Sequence, residues 1–319
     1  MRRDAPPRIA LLALLALSGL GAAPSLLSGS ALAADKVTVG VIPITDVAPI
    51  YLGVAKGFFA KQDLELTLQT AQGGAELVTP VMTGQREFGF SNISSLLIAQ
   101  TRGLDIVAIA AGASSTGEPG RDFGAIIAPG DSPLNSAKDL DGKTVAVNNV
   151  KNIGDTSVKA AVRKAGGDDQ KVKFVELAFP DMPAALNNKL VDAAWIVEPF
   201  LSVAQGQGAK VLAWNLVDTA PNLMIAVYFT SGKYAKEHAD IVKRFQAAMN
   251  ESLAYADSHS EEVRAIVPTY TRISKQLIGK LTLPRWPTDM NRNSTETLAE
   301  LSLRDGLVTK KPDLAAFFR

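Results

Sequence analysis

The chain has 319 residues, of which 47% are hydrophobic and 20% charged, with a formal net charge of +1. That length provides for two domains with ample cores, and the near-zero charge gives no electrostatic case for nucleic acid. The sequence contains no cysteine, which excludes disulfides, zinc–thiolate sites, iron–sulfur clusters, thiol catalysis and a lipid-modified cysteine.

Residues 1–33 read as an export signal. Arg2, Arg3 and Arg8 give a positive start, Ile9 to Leu20 is apolar, and Ala31-Leu32-Ala33 is a small-x-small cleavage site. The apolar run is broken by Gly19, Gly21 and Pro24, so it is short for a membrane span. The expected mature chain starts at Ala34, unlipidated and periplasmic.

Strands then alternate with helices. Lys36 to Val41, Leu64 to Leu68, Phe88 to Phe90 and Ile106 to Ala110 are predicted strands, and Ile50 to Ala60, Glu76 to Thr83 and Ser94 to Thr101 predicted helices. Ser114 to Asp122 is polar and Gly-rich, a border between lobes. Beyond it come strands at Phe123 to Ala128, Thr144 to Val147, Val172 to Leu177 and Ala193 to Val197, with helices at Thr156 to Ala165, Pro183 to Asn188 and Phe200 to Gln205. Asn222 to Thr230 is a long strand that mirrors Phe123 to Ala128 and carries the chain back. The two crossings make a two-strand hinge. The expected division is residues 34–122 with 224–319 as lobe I and 123–223 as lobe II. Ala239 to Ala256 is an amphipathic helix, and Leu298, Leu301, Leu303 and Leu307 belong to a later one; both are expected to pack on the first lobe.

One unit is written twice. At a constant offset of 105 positions, Gly84-Gln85-Arg86-Glu87-Phe88-Gly89-Phe90 lies opposite Lys189-Leu190-Val191-Asp192-Ala193-Ala194-Trp195. At that spacing Ala99-Gln100 meets Ala204-Gln205, and Gly103 meets Gly208. Two copies of one α/β unit imply two similar lobes and a cleft between them.

Candidate binding residues sit where strands break into helices, at the carboxyl ends of parallel strands where ligands bind. Gly73-Gly74, Ser91-Asn92 and Asn152 to Thr156 (with Gly154 and Asp155) are such breaks, as is Phe179 to Pro183. Helix starts offer free N–H groups and suit an anion. The same Ser, Asn, Asp and Thr residues are also ordinary helix caps. Asp46, Asp155 and Glu198 can accept from a ligand N–H group, or serve as caps and loop positions. Trp195 can stack on a flat ligand or fill the core. Arg121, beside the hinge, can pair with a carboxylate or sulfonate, or lie on the surface. Tyr228 is pocket or core. His238 and His259 read as surface positions, and no nucleophile elbow, His-Glu-x-x-His helix or phosphate loop occurs. No cofactor, no metal and no catalytic residue is expected.

Pro49-Ile50-Tyr51-Leu52-Gly53-Val54-Ala55-Lys56-Gly57-Phe58-Phe59, Gly84 to Asn92, Asp139-Leu140-Asp141-Gly142-Lys143 with Thr144 to Val147, and Val191-Asp192-Ala193-Ala194 with Glu198-Pro199 occur in an order that resembles a family. It is that of the periplasmic solute-binding proteins of ABC importers of the nitrate/sulfonate/taurine type, related to thiamine-pyrimidine precursor binders. The resemblance implies an α/β, two-lobed type II periplasmic-binding-protein fold. It also implies a ligand held between the lobes by Ser91, Asn92, Asn152 to Thr156 and the loop around Thr45-Asp46. The implied partners are a small-molecule ligand, expected to be anionic (a sulfonate, nitrate or aromatic carboxylate) or pyrimidine-like, and an inner-membrane permease driven by a separate ATPase. A monomer is expected. Gln62-Asp63-Leu64 departs from the family's Gly-Leu turn. Two rival readings are a ligand-sensing periplasmic subunit and an enzyme of the pyrimidine-synthase fold class; export and the lack of cysteine argue against the enzyme.

Overall fold

The computed structural model describes residues 33–319; the expected leader lies, apart from Ala33, outside the described residues. In chain order the regular elements begin with β1 (Asp35–Val41), α1 (Ala48–Ala55), β2 (Leu64–Thr70), α2 (Ala75–Met82), β3 (Phe88–Asn92), α3 (Ile93–Thr101) and β4 (Ile106–Ala111). There follow β5 (Gly124–Ala128), β6 (Thr144–Val147), α4 (Ile153–Lys164), β7 (Lys173–Glu176), α5 (Met182–Asn187), β8 (Ala193–Val197), α6 (Phe200–Gly206), β9 (Lys210–Ala213) and α7 (Asn215–Thr219). The chain ends with β10 (Ala226–Ser231), α8 (Gly232–Glu237), α9 (Ala239–Ser258), α10 (Ser260–Ile266), α11 (Arg292–Arg304) and α12 (Leu314–Phe317).

Two five-stranded sheets result, ordered β2-β1-β3-β10-β4 and β7-β6-β8-β5-β9. Each carries one antiparallel strand, in the same place. β10 runs against β3 and β4, and β5 runs against β8 and β9, while β1 with β2 and β3, and β6 with β7 and β8, pair parallel. Both antiparallel strands come directly after the chain has changed sheets. Both also slip register against their outer neighbour, between Tyr228 and Phe229 and between Ile126 and Ile127. Strands buried on both faces account for the near-continuous apolar runs: every residue of β3, β4, β5 and β8 is buried.

The duplication extends to single hydrogen bonds. Glu87 Oε2 accepts from the Thr38 amide at 2.6 Å while the Glu87 amide donates to Thr38 O at 3.1 Å. Asp192 Oδ2 accepts from the Thr144 amide at 2.8 Å while its own amide donates to Thr144 O at 2.9 Å. Each acid thus clips the strand that follows it onto its parallel neighbour, β3 onto β1 and β8 onto β6. Gly84 and Lys189 both take positive φ (74° and 54°), so the turn requires the left-handed region in both copies, and the second pays for it with a non-glycine residue.

The crossings pair with each other. The Ser115 amide donates to Leu223 O at 2.8 Å and the Ile225 amide to Ala113 O at 2.8 Å. The stretch expected as one strand from Asn222 to Thr230 is therefore two pieces, a crossing pair at 223–225 and then β10. A third segment joins the crossing, since Ser114 and Arg285 exchange amide-to-carbonyl bonds of 2.9 and 3.0 Å. The crossing is further tied by the fully buried Asp122, whose carboxylate accepts from Ser115 Oγ (2.6 Å), the Thr116 amide (3.0 Å) and the Phe123 amide (2.9 Å).

α9 lays Phe245, Ala248, Met249 and Leu253 against the first sheet's layer, with the Phe245 and Phe88 rings stacked at 4.1 Å. α11 departs from expectation. It ends before Leu307, exposes Leu303, and touches both α3 and α4 instead of packing on the first sheet alone. At its end Asp305 Oδ1 accepts from Arg163 Nη1 of α4 at 2.7 Å, and the same nitrogen donates to Asp169 Oδ2 at 2.7 Å. This charged contact ties the end of the helix to α4 of the second sheet.

Candidate functional site

The carboxyl ends of β1, β3, β6 and β8 open toward one another. Ile42, Ile44 and Asp46 follow β1, Asn92 ends β3, Asn148 follows β6, and Trp195 and Val197 lie in β8. Together with Phe90, Ile153, Phe179, Ile225 and Ala226 they enclose a small inner chamber of about 20 Å³. An outer chamber of about 450 Å³ shares Ile42, Ile44 and Phe179 with it. This one is walled by Pro43, Ala71, Pro180 and Phe200, with Gln72, Glu76 and Asp181 at the polar edge. The inner space takes one small group, and the outer one suits a small organic molecule.

Asp46 stands in a short helical turn leading into α1 and is 2% exposed. Its Oδ1 has no hydrogen-bond partner, and burial, with the Asp122 carboxylate adding to it, pushes the carboxyl up to about 7. The backbone around it is held from three directions. Trp286 Nε1 donates to Asp46 O at 3.0 Å, Tyr270 OH to Ile44 O at 3.2 Å, and the Thr45 amide and hydroxyl to Glu198 O at 3.1 and 3.0 Å. Tyr270 stacks on Tyr51 at 3.9 Å. The carboxylate is thus fixed in place by backbone anchors that leave its own oxygen free.

Trp195, 3% exposed, meets Phe179 edge to face at 5.5 Å, and its indole N–H has no partner. Gly154 explains how α4 approaches so closely: a Cβ there would lie 2.5 Å from the indole Cε3. Gly74 plays the same part across the cleft, where a Cβ would lie 2.6 Å from Ser91 Cα. Gly73 abuts Asn149 of the loop after β6, so the two halves already touch at this edge. Tyr228 is fully buried against Phe90 at 5.2 Å, and its hydroxyl too is unpartnered.

Other candidates are committed to the fold. Asn92 Oδ1 caps α3 at the Ser95 amide (2.9 Å), and Asn152 Oδ1 caps α4 at the Gly154 amide (2.7 Å). The Ile93 amide donates to Ile225 O at 3.0 Å and the Thr156 amide to Asn152 O at 3.2 Å. At each of these helix starts the cap takes one amide, so the Ser95 and Gly154 amides are not the ones free for an anion. Thr156 Oγ1 donates back to Asn152 O, and Ser91 Oγ to Asn92 O at 3.3 Å. Asp155 is committed only in part: Oδ2 accepts from the Lys151 amide at 2.7 Å while its buried Oδ1 has no partner, and burial pushes this carboxyl to about 6. Glu198 is a strut. Its carboxylate accepts from Ser202 Oγ (2.7 Å), the Ser202 amide (3.0 Å) and the Thr282 amide (3.0 Å), and burial raises it to about 6. Arg121 is not at the cleft. Its side chain is 79% exposed, 3.8 Å from Glu118, in a separate groove lined also by Arg264 and Arg285.

Of the candidates, then, Asp46, Asn92 and Trp195 line the inner chamber. Gly74, Ser91 and Gly154 shape its walls from behind. Sequence reasoning missed Asn148 and Ile44, although Asn148 is the first polar residue after a buried strand, which is the position that marked the others. It also missed Asp122, and Trp286, whose partner Asp46 is distant in sequence. His238 and His259 are exposed, as expected. Among the described residues no helix is long and apolar enough to cross a membrane.

Residues 44–263 match the family model described as NMT1/THI5 like, and the chain belongs to that family. No curated protein matches it in sequence. Among solved structures it is similar to the alkanesulfonate-binding protein SsuA from Xanthomonas axonopodis pv. citri bound to MOPS. That match has a TM-score of 0.74 and 17% identity, and covers 89% of this chain and 98% of the other. The periplasmic aliphatic sulphonate binding protein SsuA from Escherichia coli gives a TM-score of 0.71 at 20% identity, covering 89% and 97%. The periplasmic nitrate-binding protein NrtA from Synechocystis PCC 6803 gives 0.71 at 13%, covering 86% and 82%. The fold is the two-lobed one of the periplasmic binding proteins.

Proposed function

We propose that this chain is the periplasmic substrate-binding component of an ABC-type importer. It captures a small organic solute between its lobes and presents it to a membrane permease, as a monomer and without a catalytic step. Residues 34–122 and 224–319 act as one lobe and 123–223 as the other, moving about the paired crossing at 113–115 and 223–225. One observation carries the reading. Two sheets of the same construction meet at their strand ends around a cavity into which each contributes a buried, unpartnered polar atom, Asp46 Oδ1 from one and Trp195 Nε1 from the other. A solute that engages both is bound best when the lobes are together, so binding favours closure. The names of the similar structures, sulfonate- and nitrate-binding proteins, support the class of protein.

The test is thermal unfolding of the mature chain against sulfonates, nitrate, aromatic acids, pyrimidines and amines. A true ligand raises Tm with dose by mass action, and calorimetry then gives one site per chain. Chemical conversion of the stabilising compound by the purified protein contradicts the proposal.

A further inference from the structure

Resting on the receptor reading above, we infer that the cleft takes an organic cation: a ligand whose ammonium or amidinium head enters the inner chamber against Asp46, with a compact apolar body in the outer chamber. The geometry argues this from charge first. Across the two chambers the lining residues include three carboxylates, Asp46 within and Glu76 and Asp181 at the outer edge, and no Lys, Arg or His. Arg102 and Lys151 line a separate groove with residues of α2 and α3, and Arg121 lies in the groove behind the crossing. One amide of each facing helix start is already taken by a cap, Ser95 N by Asn92 and Gly154 N by Asn152. An anion here gains no counter-charge from a side chain and, at pH 8, meets the ionised Asp46.

Shape and chemistry agree. The inner chamber is the smaller of the two and takes a compact head group. Phe90, Phe179 and Trp195 surround it with aromatic surface, which attracts a cation. Asp46 Oδ1 is an unpartnered acceptor that a ligand N–H satisfies. The Trp195 N–H has no partner and asks for an acceptor atom on the same ligand. The outer walls of Pro43, Ala71, Pro180 and Phe200 take the apolar part. The opposite case is an oxyanion accepting a proton-bearing bond from protonated Asp46, and pH separates the two. The charged and titratable groups that face Asp46 are Asp122, Tyr228 and Tyr270, none of them basic, so its own ionisation governs. Burial holds the carboxyl protonated to near neutrality in the empty protein. A cation therefore binds more tightly as pH rises from 6 to 8, and an oxyanion more weakly.

The experiment is a Tm screen of the mature chain at pH 8 with a fragment library balanced among cations, neutral molecules and anions. The best hits are then titrated at pH 6 and 8 against wild type, Asp46→Asn and Trp195→Phe. The expected result is that cations dominate the hits and bind several-fold, up to about tenfold, more tightly at pH 8 than at pH 6. Asp46→Asn should lose at least about tenfold in their affinity, and Trp195→Phe a smaller factor. Hits dominated by anions, or cations whose affinity is unchanged in Asp46→Asn, overturn the ligand class and leave the receptor reading standing. A library with no saturable hit overturns both.

Discussion

Replacing Asp46 with Asn should stabilise the ligand-free protein at pH 8 and do nothing of the kind at pH 4. The carboxyl titrates near 3.8 when free and about 7 in the fold, because it is wholly buried. A raised carboxyl favours the fold while protonated. That contribution is complete below about 3.8 and is lost as pH climbs through about 7. At about 1.4 kcal/mol per tenfold difference in proton affinity, the loss across this window is about 4 kcal/mol. Asn escapes it, but leaves its own amide poorly paired at a cost of about 1–2 kcal/mol, so the net gain at pH 8 is about 2–3 kcal/mol. For a chain of this size that is a Tm rise of roughly 4–10 °C. The assay is calorimetric Tm for both proteins at pH 4, 6 and 8. Other buried acids such as Asp122 and Glu198 are common to both proteins and cancel in the difference. Parallel Tm curves, or a variant that weakens most at pH 8, would refute the assignment of Asp46 as an uncompensated buried acid. The gain in stability should coincide with a loss of ligand affinity, since a receptor that leaves a charge unpaired until its ligand arrives gives up stability for binding.

Three further outcomes are expected. Arg163→Met strands Asp305, whose side chain is 1% exposed, together with Asp169, and should cost about 3–5 kcal/mol by urea unfolding; an unchanged midpoint would mean that the α11–α4 tie carries no weight. Glu87→Ala and Asp192→Ala each unpair one strand amide, Thr38 or Thr144, and should lower stability by similar amounts of about 1–3 kcal/mol. A large cost in one with none in the other would break the proposed equivalence of the two units. Gly73→Val places a side chain where Asn149 now sits. It should leave the unfolding midpoint within about 1 kcal/mol while weakening ligand binding, because it obstructs contact between the halves without touching either core; full affinity in the variant would remove that edge from the account.

Much of the architecture was legible because it is periodic. Val37, Val39 and Val41 alternate as a half-buried strand must, and the strands Thr144 to Val147 and Ala193 to Val197 have the same limits in the structure as in the sequence. The repeat was legible because both copies need the same turn and the same acid clip. The site was legible in outline only. Strand ends followed by polar residues marked Asp46, Asn92 and Trp195, but the same rule marked Thr156 and Glu198, which bond inward. Whether a polar atom is free or spent depends on partners far along the chain, such as Thr282 for Glu198 and Trp286 for the Asp46 backbone. No local pattern carries that information. Arg121 shows the same limit: a position beside the crossing in sequence lies behind it in space.

The most direct measurement is a crystal structure of the mature chain with the small molecule that raises its Tm most. The account predicts the molecule between the two sheets, with a nitrogen within hydrogen-bond distance of Asp46 and an aromatic contact to Trp195. A molecule seated outside the cleft, in the groove of Arg121 and Arg285 for instance, or one that turns an acidic group toward Asp46 at neutral pH, would contradict it.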